Sequence, residues 1–353
     1  MPSRGLYAGL VACFVLLNHF ASAIPGLYKD QRPLITASSS LYEKPAAPYV
    51  GFDLSLSYGV AAIRHANGTY TDVAYVDAIP EYQAMIRLSL QSSKHNHPPY
   101  NPKAGNDEWS DTPRQWVRKW RKRLGLPASY EVGLLSDMLT GLRDEVERRL
   151  GHQIDTAVVT WPRLVALYVE DIKDVFEHVG LNSITVFEHE WGAAMAAHEV
   201  LTQRLRPGDL REVLVTMLTR SAFYVSNDLC DQPSYRRMWG SDDEYEYNWT
   251  IDFNLGLDAL HDNPDEAYYW EELRKRLIEG VGRRHTKHDI YYAILIGESA
   301  GDERFVALVK EVVGGVQEWT PSYHLSDPIL TPARGAARFH ELYGGEHWAE
   351  PGA

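Results

Sequence analysis

The sequence predicts an α/β protein built from two lobes of duplicated architecture around a central cleft. Three observations lead to this prediction. The 353 residues exceed what a single hydrophobic core usually supports. A strand–turn–strand pattern at 49–63 recurs at 212–227. Between the two hairpins, apolar strands alternate with amphipathic helices, which is typical of a partly parallel sheet.

The first hairpin, 49–63, has alternating apolar residues on both sides of a short polar turn. Asp53 precedes this turn, and Ser55 and Ser57 flank its tip. Such a turn suits a metal-bound phosphate, because backbone N–H groups can approach the anion while a carboxylate orders water on the cation. We therefore expect a ligand site here.

The second hairpin, 212–227, repeats the strand, the small polar tip and the returning strand. Its tip carries Thr219, Arg220 and Ser221. Met217 stands where the first hairpin has Asp53, and a thioether is a poor ligand for a hard cation such as Mg²⁺. A metal ligand is therefore expected from the first hairpin alone.

The other elements follow from hydrophobic periodicity and from the residues that end each run. In chain order we predict a strand at 70–79, a loop at 95–111, a helix at 131–150, a strand at 154–161, a helix at 164–178, a strand at 184–187, a small-residue helix at 190–197 and a helix at 270–278. Gly151 and Gly180 are the expected stops of the two longer helices.

A basic segment at 114–123 places Trp116 and Trp120 on one helical face among six basic residues. This pattern predicts a surface helix that buries both tryptophans and leaves its charges in solvent. The alternative is a docking site for an anionic partner or a membrane surface.

The N-terminal residues 1–23 have the organisation of a secretory signal peptide. Arg4 supplies the positive charge, 6–17 is apolar, and the small residues at 21–23 fit a cleavage site. A membrane anchor is the alternative, but it needs about 20 apolar residues. We expect a protein that is secreted or resides in the lumen of the secretory pathway, with an extended leader at 24–47.

Composition and charge limit the partners. The net charge of −13 argues against nucleic acid, whose phosphates would be repelled. No stretch after the signal is long and apolar enough to span a bilayer. Asn67 and Asn248 lie in glycosylation triplets, as suits a secreted glycoprotein. The expected partner is an unidentified protein.

Six motifs in order resemble the actin-like ATPase superfamily and, within it, the nucleotide-binding domain of heat shock protein 70 chaperones. They are V-G-F-D-L-S-L-S-Y at 50–58, A-V-V-T-W-P at 157–162 with G-L-N at 180–182, Glu190 with its alanines, V-L-V-T-M-L-T-R-S-A-F-Y-V-S at 213–226, I-L-I-G-E-S at 294–299 and A-R-G-A-A at 333–337.

The resemblance implies a two-lobed actin-like, ribonuclease H-like fold. The first lobe would cover 48–190 with an inserted subdomain at 80–130. The second would cover 191–343 with an inserted subdomain at 229–289, a C-terminal helix at 333–343 returning to the first lobe, and a tail at 344–353.

The resemblance also implies a nucleotide site between the lobes, with ATP and Mg²⁺ as its cofactors if binding is retained. Asp53 and Glu190 would be the metal ligands and the candidate catalytic residues; an acid/base pair for cleaving carbohydrate is a weaker interpretation of the same two carboxyls. The implied nucleotide contacts are Asp53, Ser55, Ser57, Tyr58, Thr219, Arg220, Ser221, Gly297, Glu298 and Ser299.

Departures from the family pattern weaken the expected site. The family's glycines are replaced by residues with side chains at Ser55, at the second tip and at Glu298. Met217 stands in place of the family's metal-positioning Asp, and the family's catalytic Lys has no counterpart. Side chains at such positions block close approach to phosphate. We therefore expect a binding or scaffold protein with weak or lost ATP binding; the alternative is an ATP-binding enzyme that hydrolyses slowly at a modified site.

Arg220 is the residue expected to substitute for the missing ligand. Two carboxylates in a partly buried cleft need positive charge, and a guanidinium at the second tip can supply it without magnesium. The hypothesis is that Arg220 pairs with Asp53 and Glu190, with Glu298 as a competing partner. A surface location is the alternative.

Overall fold

The computed structural model describes residues 48–90, 108–183, 188–199, 210–231, 249–262, 265–282, 289–317 and 320–343. The protein is mixed α/β with two mixed sheets, which confirms the predicted class. The signal peptide, the leader, the strand expected at 184–187, Asn248 and the tail at 344–353 lie outside the described residues.

The first sheet contains both hairpin strands of the N-terminal motif. Its strands are β1 (Tyr49–Leu54), β2 (Tyr58–Arg64), β3 (Tyr70–Asp77), β4 (Thr156–Trp161), β5 (Asn182–Ser183) and β6 (Glu188–His189). They are ordered β3-β2-β1-β4-β5, and β6 also pairs with β4. The first three strands are antiparallel, whereas β4 runs parallel to β1.

The second sheet repeats this topology. Its strands are β7 (Leu210–Leu218), β8 (Phe223–Asp231), β9 (Trp249–Asp252), β10 (Ile290–Ile296) and β11 (Ser322–His324). The order β11-β10-β7-β8-β9 again places three antiparallel strands beside two parallel ones. Among the described residues, the five-strand order of the first sheet therefore recurs in the second, and β6 has no counterpart there.

The helices cover the sheets and connect them. They are α1 (Pro80–Leu90), α2 (Glu108–Arg123), α3 (Tyr130–Leu150), α4 (Val169–Val179), α5 (Glu190–Ala197), α6 (Leu257–Asp262), α7 (Glu266–Gly282), α8 (Glu303–Val316) and α9 (Thr331–Tyr343). None of these helices is long and apolar enough to cross a membrane.

Most predicted boundaries lie within two residues of the structure, and three elements differ more. The helix expected at 270–278 is longer and spans Glu266–Gly282. Gly151 and Gly180 end α3 and α4 in the left-handed conformation, with φ of 76° and 78°. The helix expected from 164 begins instead at Val169, after a turn. The loop expected at 95–111 is wrong over its last residues, because α2 already begins at Glu108.

The period-two alternation of β7 divides the core into two clusters. Val213, Val215 and Met217 join the apolar residues of the first sheet in one continuous cluster. Leu214 and Leu218 point the other way and pack with α7 and α8. The space between the two sheets is therefore part of the hydrophobic core.

The C-terminal helix α9 lies against β1 and α5 at unusually short range. A Cβ on Gly335 would lie 1.8 Å from the carbonyl oxygen of Ala193, and one on Gly51 would lie 2.1 Å from the amide nitrogen of Ala337. Only glycine permits such backbone approach. The contact is fixed further by an ion pair from Arg64 to Glu341 at 2.6 Å.

Candidate functional site

The tip of the first predicted phosphate hairpin contacts the second hairpin at the end of its first strand, β7. Ser55 Oγ donates a hydrogen bond to Met217 Sδ at 3.7 Å. Ser55, Leu56 and Ser57 are at most 1% exposed, and Met217 is fully buried. The first hairpin tip, where the sequence predicts a phosphate, is thus packed against the protein's own side chains.

Glu298 joins the two tips through its carboxylate. Its Oε1 accepts hydrogen bonds of 2.8 Å from Ser57 Oγ and from the backbone N–H of Arg220. Its Oε2 accepts from the hydroxyl of Tyr75 at 2.8 Å. One carboxylate therefore takes donors from both hairpins, at the place where the resemblance would put an anionic ligand.

Arg220 does not pair with Asp53 and Glu190, so that hypothesis is wrong. Its guanidinium lies 2.5 Å from Asp77 Oδ1 and 3.3 Å from Glu298 Oε1, and the side chain is 47% exposed. The physical reason is that Asp77 and Glu298 provide the carboxylates that the guanidinium reaches. Asp77 belongs to β3 of the first sheet, so Arg220 still connects the two sheets.

Asp53 lies beside Thr160 on the neighbouring parallel strand, and Thr160 Oγ1 donates to Asp53 Oδ1 at 2.7 Å. Among the described residues, no partner reaches Asp53 Oδ2, Glu190 Oε1 or the hydroxyl of Tyr58, and all three are buried. The chain thus retains both predicted metal ligands as acids with unsatisfied oxygens. Such atoms cost free energy unless a proton or a ligand satisfies them.

Burial decides the protonation of this acid pair. Loss of solvation raises the pKa of Asp53 to about 7, against the smaller opposing effect of the Thr160 hydrogen bond. Burial likewise raises the pKa of Glu190 well above its ordinary value, and the charge of Asp53 raises it further. At neutral pH the pair therefore holds at least one proton.

The second tip is closed by the first turn of α6. Leu257 N–H donates to the carbonyl of Thr219 at 3.0 Å, and Asp258 N–H donates to the carbonyl of Arg220 at 2.9 Å. Thr219 Oγ1 bonds within the turn to Ala222, so its hydroxyl is used internally. Thr219 is fully buried and Ser221 is 7% exposed.

The third predicted nucleotide loop is likewise bound to protein. Gly297 adopts a φ of 101°, and its N–H donates to the carbonyl of Pro328 at 3.0 Å. The N–H of Ser299 donates to the carbonyl of Leu218 at 2.9 Å. These backbone donors therefore face carbonyl groups of the chain itself.

The residues at the two hairpin tips and in the third loop do not fit Mg-ATP. Glu298 takes the donors that would meet a phosphate, Met217 offers a thioether in place of a carboxylate, and the tips are closed. Within the described residues, no group of three or more His, Cys, Asp or Glu side chains could hold a metal ion.

Sequence reasoning missed Tyr75, Thr160 and Asp77, which complete this region. Tyr75 stacks on Tyr58 with ring centroids 5.4 Å apart, and Asp77 is the strand partner of Tyr58. The signal was present in β3, because alternate residues of a strand share a face. The position of Tyr75 and Asp77 beside Tyr58 can be inferred only when the register of β2 and β3 is known.

Comparison with known protein families finds none whose pattern matches this chain, and comparison with curated proteins finds no match either.

The acid pair leads to a prediction about pH. Asp53 holds a proton when folded that the unfolded chain releases above about pH 4, so its contribution to stability falls as the pH rises from about 4 to about 7. Replacing Asp53 with Asn removes this loss. The full pKa shift of Asp53 corresponds to a loss of about 4 kcal/mol in the free energy of unfolding. Because Glu190 remains, we expect Asp53→Asn to be more stable than the parent protein by about 2 kcal/mol at pH 8.

Urea unfolding of both proteins at several pH values measures this difference. Comparison with the parent protein is essential, because His340 has an opposite effect on the pH dependence. Burial lowers the pKa of His340 to about 4. Its contribution to the stability of the folded protein is therefore lost as the pH falls from about 6.5 towards 4. Asp262→Asn, at an exposed position, is the matched control. A stability difference between parent and Asp53→Asn that stays constant from pH 4 to 8 would contradict the assignment.

Proposed function

We propose that this chain is a degenerate actin-like ATPase domain, similar to the nucleotide-binding domain of heat shock protein 70 chaperones, that acts as a binding or scaffold protein with weak or lost ATP binding. Two sheets of one topology, in contact through equivalent hairpins, support this proposal. Fold likeness alone does not determine function, so the site has to carry the argument.

The observation that carries the proposal is the position of Glu298. A phosphate-binding hairpin works through donors aimed at an anion. Here the donors from Ser57 and Arg220 already meet a carboxylate that is part of the chain. An internal anion competes at a very high effective concentration, because it needs no binding from solution. A nucleotide would have to displace it and also open a buried interface.

A closed cleft favours a scaffold role. If the two sheets do not separate and close around a substrate, the protein presents a fixed surface to its partner. The alternative, an ATP-binding enzyme that hydrolyses slowly, is favoured by one observation: Asp53 and Glu190 both remain, buried, with unsatisfied oxygens. The same experiment decides between the two.

We also propose that the protein acts in the lumen of the secretory pathway or outside the cell. The signal-like residues 1–23 support this. Asn67 is exposed in the turn between β2 and β3, and both the N–H and the hydroxyl of Thr69 donate to Asn67 Oδ1. The triplet at this turn is therefore accessible to glycosylation.

The test is calorimetric titration of the mature protein with Mg-ATP. We expect no binding with a dissociation constant below about 1 mM. Glu298→Gly restores the glycine and frees the two donors, so any latent affinity should appear in that variant. Glu303→Ala, five residues further along the chain, is the control. Tight binding by the parent protein would refute the scaffold proposal and favour the enzyme.

A further inference from the structure

The basic helix α2 faces opposite to the sequence prediction. Trp116 and Trp120 are 57% and 52% exposed, whereas Arg118 is 3% exposed. The expectation that this helix buries its tryptophans and leaves its charges in solvent is therefore wrong. The helix buries Arg118 and exposes both aromatic rings.

The acids of α4 explain this orientation. Arg118 donates to Asp171 at 2.8 Å and to Asp174 at 2.6 Å, and both carboxylates are largely buried. Arg114 pairs with Glu170, and Lys122 also pairs with Asp174. Buried carboxylates need such partners, so the ion network fixes which face of α2 points inward. The aromatic face is left outside as a consequence.

The exposed side chains form one stripe. With about 100° of rotation per residue, Trp116, Trp120, Leu124 and Val117 lie at about 0°, 40°, 80° and 100°, on one side of the helix or its continuation. All four are more than half exposed, and Leu126 beyond the helix is 46% exposed. We call the residues 116, 117, 120, 124 and 126 the aromatic ridge.

Cations border the aromatic ridge. Lys119 and Arg123 are exposed on one side of it, at about 300° and 340° on the same projection. The guanidinium of Arg123 lies 5.4 Å from the ring centroid of Trp120, which keeps the charge next to the ridge. This local charge contrasts with the net charge of −13 for the whole chain. The surface thus suits an anionic partner.

We propose that the aromatic ridge, with Lys119 and Arg123, docks this protein on an anionic lipid bilayer. Tryptophan favours the bilayer–water interface, and basic residues beside it meet anionic headgroups. The ridge is formed by one helix and its continuation, and it extends over about 15 Å. A stable protein interface needs about 800 Å² on each partner, usually with complementary relief, whereas shallow insertion needs only a few apolar side chains. This inference rests on α2 and α4 and is independent of the proposed function.

Vesicle flotation of the mature protein tests the proposal. We expect it to float with vesicles of phosphatidylcholine and phosphatidylglycerol, to float much less with phosphatidylcholine alone, and to be released by salt. Trp116→Ala/Trp120→Ala should weaken binding roughly tenfold or more, because the inserted rings are lost. Lys119→Ala/Arg123→Ala should weaken it by about 30-fold on the anionic vesicles.

Tyr268→Ala is the matched control, because Tyr268 is an aromatic residue of α7 with 58% exposure, and we expect it to bind like the parent. The ridge residues are exposed, so the variants should keep the parent's melting temperature. Failure of the parent to float would overturn the proposal. So would flotation that the tryptophan pair does not affect, or a parent dimer that the same pair dissociates, since a second copy would then cover the ridge.

Discussion

Replacing Gly335 with alanine should destabilise the protein by about 4 kcal/mol, which is a large part of a typical domain's stability. The added Cβ would lie 1.8 Å from the carbonyl oxygen of Ala193 and 2.4 Å from its carbonyl carbon. Both belong to the backbone of α5, so no flexible side chain can give way. Helices α9 and α5 must separate, and α9 would lose its fit against β1.

Gly141→Ala is the matched control, because it is the same substitution inside a helix, with no neighbouring atom within 4 Å of the added Cβ. It should stabilise the protein by about 0.5–1 kcal/mol through helix propensity. Thermal unfolding measures both variants, and we expect Gly335→Ala to melt about 10 °C lower than the parent. Equal melting temperatures for the two variants would show that the close helix crossing does not exist.

Replacing Arg118 with methionine should cost about 3–5 kcal/mol, since it leaves buried carboxylates without their main partner. Asp171 is fully buried and depends on Arg118 for an ion pair of 2.8 Å. Asp174 retains Lys122, so the larger part of the loss falls on Asp171. Methionine keeps most of the side-chain volume, which separates the loss of charge from the loss of packing.

Two further variants test whether the loss of stability comes from the uncompensated buried charge. Arg304→Met breaks an exposed ion pair with Glu266, and such pairs contribute about 0–1 kcal/mol. Adding Asp171→Asn to Arg118→Met removes the uncompensated charge and should recover part of the stability, as denaturant unfolding can show. If Arg118→Met behaves like Arg304→Met, the ion network does not hold α2 in place, and the orientation of the aromatic ridge needs another cause.

The hairpins and the order of elements could be predicted because they follow from local rules. Apolar runs on either side of a small polar turn mark β1, β2, β7 and β8, and a glycine in the left-handed conformation ends α3 and α4. Those signals lie within a few residues of each other along the chain. The mixed α/β class follows from their alternation.

The site could be predicted only in part, because its decisive contacts join distant residues. Glu298 meets Ser57 across 241 positions, and Arg220 meets Asp77 across 143. No local pattern says which of several carboxylates an arginine will reach. The same limit applies to α2, whose six cations look solvated in the sequence until α4 brings the acids that pair with three of them, Arg114, Arg118 and Lys122.

The position of α9 has a consequence for biosynthesis. Val50 and His340 hydrogen-bond across 290 positions, and Ala333 covers the side of β2 formed by Tyr58, Val60 and Ala62. At roughly 5–20 residues per second, the ribosome completes α9 tens of seconds after the first hairpin. During that interval an apolar face of the first sheet is uncovered and open to hydrophobic association with other chains. A nascent chain of this protein therefore has to be protected until its last helix is made, and the order of synthesis limits when the fold can close.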